Sequence, residues 1–126
     1  MTHILVVDDE ADVQPLFEQR FRREIRSGAV HMTFASSGEE ALTIFQDRPH
    51  EAVLILSDIN MPGMSGLELL RHIREKKPTR PPVVMMITAY GDEDSKQQAM
   101  TLGADDFLAK PLDFVSLKEK LGQLSV

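Results

Sequence analysis

The sequence predicts an open α/β fold, a five-stranded parallel sheet wound with helices on both faces, and three observations carry that expectation. Short apolar runs alternate strictly with stretches of helical periodicity along the chain. One of the runs, Val53 to Ser57, is nearly continuous in apolar character, as a strand buried on both faces requires. Four of the five runs also end on polar residues able to do chemistry: Asp8 and Asp9 after HILVV, Asp58 after VLILS, Thr88 after VVMMI and Lys110 after DFLA. The carboxyl ends of strands are where such a sheet places its ligand site.

The first strand covers His3 to Val7, and Val13, Leu16, Phe17, Phe21 and Ile25 then share one face of a helix whose wet side carries Arg22, Arg23 and Arg26. Pro15 is tolerated in its first turn, where the missing N–H has no partner to lose, and Gly28 suits the left-handed residue that closes it. Val30 to Ala35 forms the second strand. Ser37-x-x-Glu40 is a capping-box pattern ahead of Ala41, Leu42 and Phe45, and Pro49 ends that helix. Val53 to Ser57, an apolar run bounded by polar residues, suits a central strand with Asp58 at its exit. Ile59 to Met64 is a loop by its Pro62-Gly63 pair, after which Ser65-x-x-Glu68 caps a helix carrying Leu67, Leu70 and Ile73. Lys77 to Pro82 cannot continue it, and Val83 to Ile87 makes the fourth strand. Between Asp92 and Leu102 the apolar content is only Ala99, Met100 and Leu102 before Gly103 stops the segment, so the fourth helix is expected to be weakly anchored. Asp106 to Ala109 is the fifth strand, and Phe114, Leu117, Leu121 and Leu124 stripe the last helix.

Five strands alternating with five helices imply right-handed crossovers, and the flavodoxin-like (βα)5 doubly wound order 2-1-3-4-5 is the commonest solution for such units. That order makes the first and third strands neighbours where the winding reverses, bringing Asp8 and Asp9 beside Asp58. A chain of 126 residues fits a single domain over 1–126, with no linker, internal repeat or output segment after the last helix. Its 42% hydrophobic and 27% charged content excludes a disordered tail. A net charge of −6, with arginines and lysines scattered among acids, disfavours direct nucleic-acid binding. The absence of cysteine excludes disulfides and thiolate catalysis and is compatible with a cytoplasmic location. The N-terminus runs straight into a strand, and nowhere is there an apolar run of roughly 18 residues, so no membrane association is expected.

Taken singly, the strand-end residues have ordinary explanations: Asp9 caps the first helix, Thr88 closes a turn, and Lys110 is one more solvated lysine. Together they resist that reading. Two carboxylates about 4 Å apart repel by roughly 4 kcal/mol at an effective dielectric near 20, and a third adds to the strain. A divalent cation resolves the repulsion, and Mg²⁺ in particular takes few protein carboxylates while keeping waters and binding phosphate oxygens. With Asp58 as nucleophile, a metal held by Asp8 and Asp9 would screen its charge from an incoming phosphoryl group, while Lys110 and Thr88 would stabilise two further oxygens.

The motifs VVDD near the start, SDINMPGMSG around Asp58, MMITAYG around Thr88 and GADDFLAKP around Lys110 resemble the receiver domain of two-component response regulators, in order and over the whole chain. The resemblance implies that Asp58 accepts phosphate from a histidine kinase or a histidine phosphotransfer protein. It implies direct Mg²⁺ ligation by Asp9, Asp58 and the backbone carbonyl of Asn60, with Asp8 acting nearby through water. Lys110 would pair first with the free carboxylate and then with phosphate, and the Lys110–Pro111 peptide would be cis. Thr88 and Phe107, the aromatic three residues before the lysine, would be the switch pair. Phe107 has no phenolic hydroxyl, so packing alone would drive its burial, and as a plain core phenylalanine it needs no switching role. Asn60 and Tyr90 occupy the two positions that tune the lifetime of the phosphorylated state, and the Tyr90 ring would limit the approach of water. Receivers also pair through their last helix and strand region, although the stripe on the final helix is equally explained by its own core.

Two other classes compete. A haloacid-dehalogenase-like phosphohydrolase also uses an aspartyl phosphate and Mg²⁺, but carries D-x-D-x-T after its first strand, where this chain has VDDEA and no cap segment. A binding module, flavodoxin-like or a receiver independent of phosphate, is disfavoured: the acidic Asp8-Asp9-Glu10 run would repel a flavin phosphate, and none of the acids nor the lysine is missing. Gly63-x-x-Gly66 lacks the Lys-Ser/Thr of a P-loop. Met61, Met64, Met85, Met86 and Met100 are expected to pack in the core or line a loop, and His3, His31, His50 and His72 lack the spacing of a metal site.

Overall fold

Successive residues of a strand face opposite sides of the sheet, so a run that is apolar throughout needs a core on each side. The computed structural model of the protein, which describes residues 2–47, 54–76, 81–89 and 91–124, has that arrangement. Strands β1 (Thr2–Val7), β2 (Val30–Ala35), β3 (Leu54–Asp58), β4 (Val83–Thr88) and β5 (Asp106–Ala109) form one sheet in the order β2-β1-β3-β4-β5, every pairing parallel. Ile4, Val6, Leu54 and Leu56 join Phe17, Phe21, Leu117 and Leu121 in one core. Leu5, Val7 and Ile55 join Ala41, Phe45, Leu69, Leu70 and Ile73 in the other. Met61, Met85 and Met86 are buried as expected, whereas Met100 is 61% exposed.

The described residues form six helices where the sequence predicts five: α1 (Val13–Arg20), α2 (Arg22–Ser27), α3 (Gly38–Asp47), α4 (Gly66–Glu75), α5 (Glu93–Thr101) and α6 (Phe114–Leu124). The first expected helix divides at Phe21, whose φ of −105° and ψ of 19° leave the helical region. Its buried ring lies 6.1 Å from Phe17 and 6.2 Å from Phe114, and this aromatic packing decides which face turns inward. Leu16 and Ile25, expected on that face, fall at its margin and stay 38% and 36% exposed.

Both serine caps form: Ser37 Oγ accepts from the Glu40 N–H at 3.0 Å and Ser65 Oγ from the Glu68 N–H at 3.2 Å. Helix α5 begins on an Asp92 cap and buries only Ala99, the weak anchorage that its sequence predicts. Its far end is fastened by Arg74 of α4. The guanidinium donates to the Gly103 carbonyl at 3.1 and 2.8 Å, to the Pro82 carbonyl at 3.0 Å and to Asp105 Oδ2 at 2.9 Å. Asp105 Oδ2 in turn accepts the Val84 N–H at 2.8 Å, so one side chain ties the turn before β5 to the start of β4. Pro49, Val53, residues 77–80 and the Leu124 side chain lie outside the described residues. Among the described residues no helix is long and apolar enough to cross a membrane.

Candidate functional site

Level strand ends build the site. Val7 pairs with both Ala35 and Ser57, Asp58 with Ile87, and Thr88 with Ala109, so the residues at and just beyond these rungs leave the sheet side by side. Asp58 and Thr88 are the final residues of β3 and β4, one position further into the sheet than the sequence suggests, and both are buried. The Lys110 N–H donates to the Thr88 carbonyl at 2.9 Å, which continues the β4–β5 ladder to the lysine.

The carboxylates of Asp8, Asp9 and Asp58 each offer an oxygen within 4.8 Å of the others. Asp8 and Asp58 are buried and Asp9 is exposed. Lys110 Nζ donates to Asp58 Oδ2 at 2.9 Å, with Glu10 at 4.0 Å from the same ammonium. The ordinary explanations therefore fail in place. Lys110 is ion-paired, Thr88 completes a strand, and the cap of α1 is Asp12, without any side-chain capping bond.

Burial pushes the Asp8 carboxyl above the ordinary aspartate value; a hydrogen bond from the Glu10 N–H at 2.9 Å opposes this, and the Asp58 charge adds to it. Burial acts against the Lys110 charge, yet the hydrogen bond and charge of Asp58, with smaller help from Asp8 and Glu10, hold its pKa above the usual lysine value. One ammonium thus faces a surplus of carboxylates. Converging hard oxygens short of positive charge fit a divalent cation of the Mg²⁺ type. A cavity of about 340 Å³ lined by Asp8, Asp9, Glu10, Gln14 and Glu40 opens beside two of the acids, and its acidic lining suits the entry of a cation.

Thr88 and Phe107 line a second cavity of about 420 Å³ together with Gly91, Glu93, Lys96 and Ala109. Phe107 is half-buried, and the Lys96 ammonium lies 5.8 Å over its ring. Asn60 is exposed in the loop after β3, the Lys110–Pro111 peptide is cis, and Tyr90 lies outside the described residues.

The sequence reading considers Gly66 only as part of a rejected P-loop pattern and misses its packing role. A Cβ there would stand 2.1 Å from the Asp58 carbonyl oxygen and 2.9 Å from Ile59 Cα, so only glycine lets the first turn of α4 rest on the peptide of Asp58. Its N–H donates to the Ile59 carbonyl at 2.8 Å. The available signal was a glycine directly after a capping serine, at a position where most helices carry a side chain.

Residues 4–122 match the family described as the response regulator receiver domain. "Response regulator protein PilR" of Pseudomonas aeruginosa is 39% identical over 118 residues, which are 91% of this chain; the chain spans only 24% of that protein's length. A crystal structure of a response regulator receiver domain protein from Clostridium thermocellum superposes with a TM-score of 0.85 at 28% identity, covering 98% of this chain and 94% of that one. The receiver domain of the response regulator Ssk1, in its co-crystal with the histidine phosphotransfer signaling protein Ypd1 from Saccharomyces cerevisiae, gives a TM-score of 0.80 at 25% identity, covering 94% and 85%.

Two outcomes are expected from this geometry. Gly66→Ala forces apart backbone and helix and lowers stability by about 1–3 kcal/mol, measured by urea unfolding. The folded Asp8 carboxyl has a raised pKa, so its ionised form costs stability as pH rises through that value. Asp8→Asn should therefore stabilise the metal-free protein at neutral pH, with the gain vanishing below the unfolded value of 3.8, as followed by thermal unfolding across pH.

Proposed function

The chain belongs to the family of response regulator receiver domains, signalling domains rather than classical enzymes, and on that premise we propose that it is a phosphoacceptor switch of a two-component phosphorelay with Asp58 as its phosphorylated residue. The single observation that carries this reading is the buried Asp58 carboxylate, joined at 2.9 Å to Lys110 and flanked by Asp8 and Asp9.

Lys110 engages Oδ2 of Asp58, which leaves Oδ1 as the oxygen to attack phosphorus. The new O–P bond would form as the bond between phosphorus and a donor imidazole nitrogen breaks, and the ammonium of Lys110 and the hydroxyl of Thr88 would each take one phosphoryl oxygen. Asp9, Asp58 and the Asn60 carbonyl would hold Mg²⁺ directly and Asp8 through water; the ion supplies positive charge against the acids and the phosphoryl oxygens. An aspartyl phosphate at Asp58 would carry about −1.5 to −2 charge in place of the carboxylate's single charge, together with new acceptor oxygens, and these would draw the Thr88 hydroxyl inward and change the cavity that it shares with Phe107.

The donor would be a histidine kinase or a phosphotransfer protein, a class supported by the Ypd1 complex of the Ssk1 receiver. Exposed Met100 and Val115, at 61% and 69%, offer apolar side chains on α5 and α6 for a target or a second copy, while Leu117 and Leu121 of the expected stripe are taken up by the core. In the phosphorylated state the Tyr90 ring would shield the aspartyl phosphate from water.

Incubation with a small-molecule phosphodonor and Mg²⁺ should add one phosphoryl mass to the peptide containing Asp58, with no labelling after Asp58→Ala or in excess chelator; a labelled Asp58→Ala protein would sink the assignment. Tyr90→Ala should lose phosphate faster than the parent chain in a phosphate-release assay, and an unchanged rate would remove the shielding role.

A further inference from the structure

We propose that Glu39, the second residue of α3, is a positioning residue for the acid site: its carboxylate fixes the loop that follows Asp58 and so sets where Asn60 presents its carbonyl. The inference rests on the reading above that this loop supplies a ligand to Mg²⁺.

Three contacts tie α3 to that loop. Glu39 Oε1 accepts the Met64 N–H at 3.2 Å across twenty-five residues of chain. Its Oε2 lies so near Gly63 that a Cβ there would stand 2.6 Å from it, at a residue whose φ is +72°. The neighbouring Gly38 abuts the same loop, since a Cβ on it would meet the Met64 carbonyl at 2.9 Å. At the loop's other end Gly66 sits directly against the Asp58 carbonyl. The segment from Asn60 to Met64 is thus held from its own helix at one end and from α3 at the other.

Glu39 does not touch the acids; it acts through the loop. A side chain whose loss frees Met64 and Gly63 leaves the Asn60 carbonyl to find its orientation only when the ion binds, and that ordering is subtracted from affinity. The acceptor oxygen is what matters, so glutamine should substitute for glutamate while alanine should not.

The test compares the parent chain with Glu39→Ala and Glu39→Gln, using Asp47→Ala as a control that removes an exposed carboxylate at the far end of the same helix. Calorimetric titration with Mg²⁺ should give roughly five-fold weaker binding in Glu39→Ala, the factor that one net hydrogen bond represents, near-parental binding in Glu39→Gln, and no change in Asp47→Ala. Amide exchange without metal should speed up at Met64 in Glu39→Ala alone. Parental Mg²⁺ affinity in Glu39→Ala, or a glutamine variant as impaired as the alanine one, overturns the proposal. A parent chain that binds no Mg²⁺ would instead overturn the functional reading, and the Met64 amide would still report on the clasp.

Discussion

Like charges crowded at one end of a sheet are the constraint around which this molecule is organised. Asp8, Asp9 and Asp58 are brought within 4.8 Å by the reversal of winding between β1 and β3, a consequence of strand order and not of any attraction among them. At such separations carboxylates repel by several kcal/mol at an effective dielectric near 20, on the order of 4 kcal/mol per pair. Lys110, delivered by the β4–β5 ladder, answers one of the charges. Burial, with a smaller addition from the Asp58 charge, raises the pKa of Asp8. Two separate cores on the faces of the sheet provide the stability that such a site draws upon.

Much of this was legible in the residues. Continuous apolar runs such as VLILS announce strands covered on both faces, and the switch of period between them fixes the alternation from which the strand order follows. The strand-end acids and the lysine were readable for the same reason: a strand has one carboxyl end, and the topology makes neighbours of those ends. The division of the first helix at Phe21 was not legible, because the bend accompanies ring packing with Phe17 and, across the fold, Phe114. Leu16 and Ile25 match the helical period but sit at the margin of the buried stripe, a distinction that periodicity cannot make. The roles of Gly66 and Glu39 were hidden for another reason. Both depend on two pieces of backbone passing at van der Waals distance, and close approach leaves no periodic trace in one sequence.

The parts of the molecule differ in how tightly they are held, and the difference follows function. The ends of β1, β3 and β4 are buried between the cores, whereas α5, which starts five residues beyond Thr88, buries one side chain and keeps Met100 in solvent. Elements that respond to a ligand come from the less stable end of a fold. The strand ends that carry Asp58 and Thr88 are packed between two cores while α5 buries one side chain, an arrangement in which charge added at Asp58 would be expressed as movement of α5 under the proposed function.

Arg74 would give such a movement its geometry. Its guanidinium grips the carbonyl of Gly103 just past the last turn of α5, while the first turn is held by the local Asp92 cap and the Lys96 ammonium over the Phe107 ring. A rod pinned at its far tip swings about that tip, so the widest arc belongs to the turn nearest Thr88 and the smallest to the remote end beside β5. Under the proposed function, any displacement of α5 would be greatest beside Thr88, with a single arginine as its fulcrum.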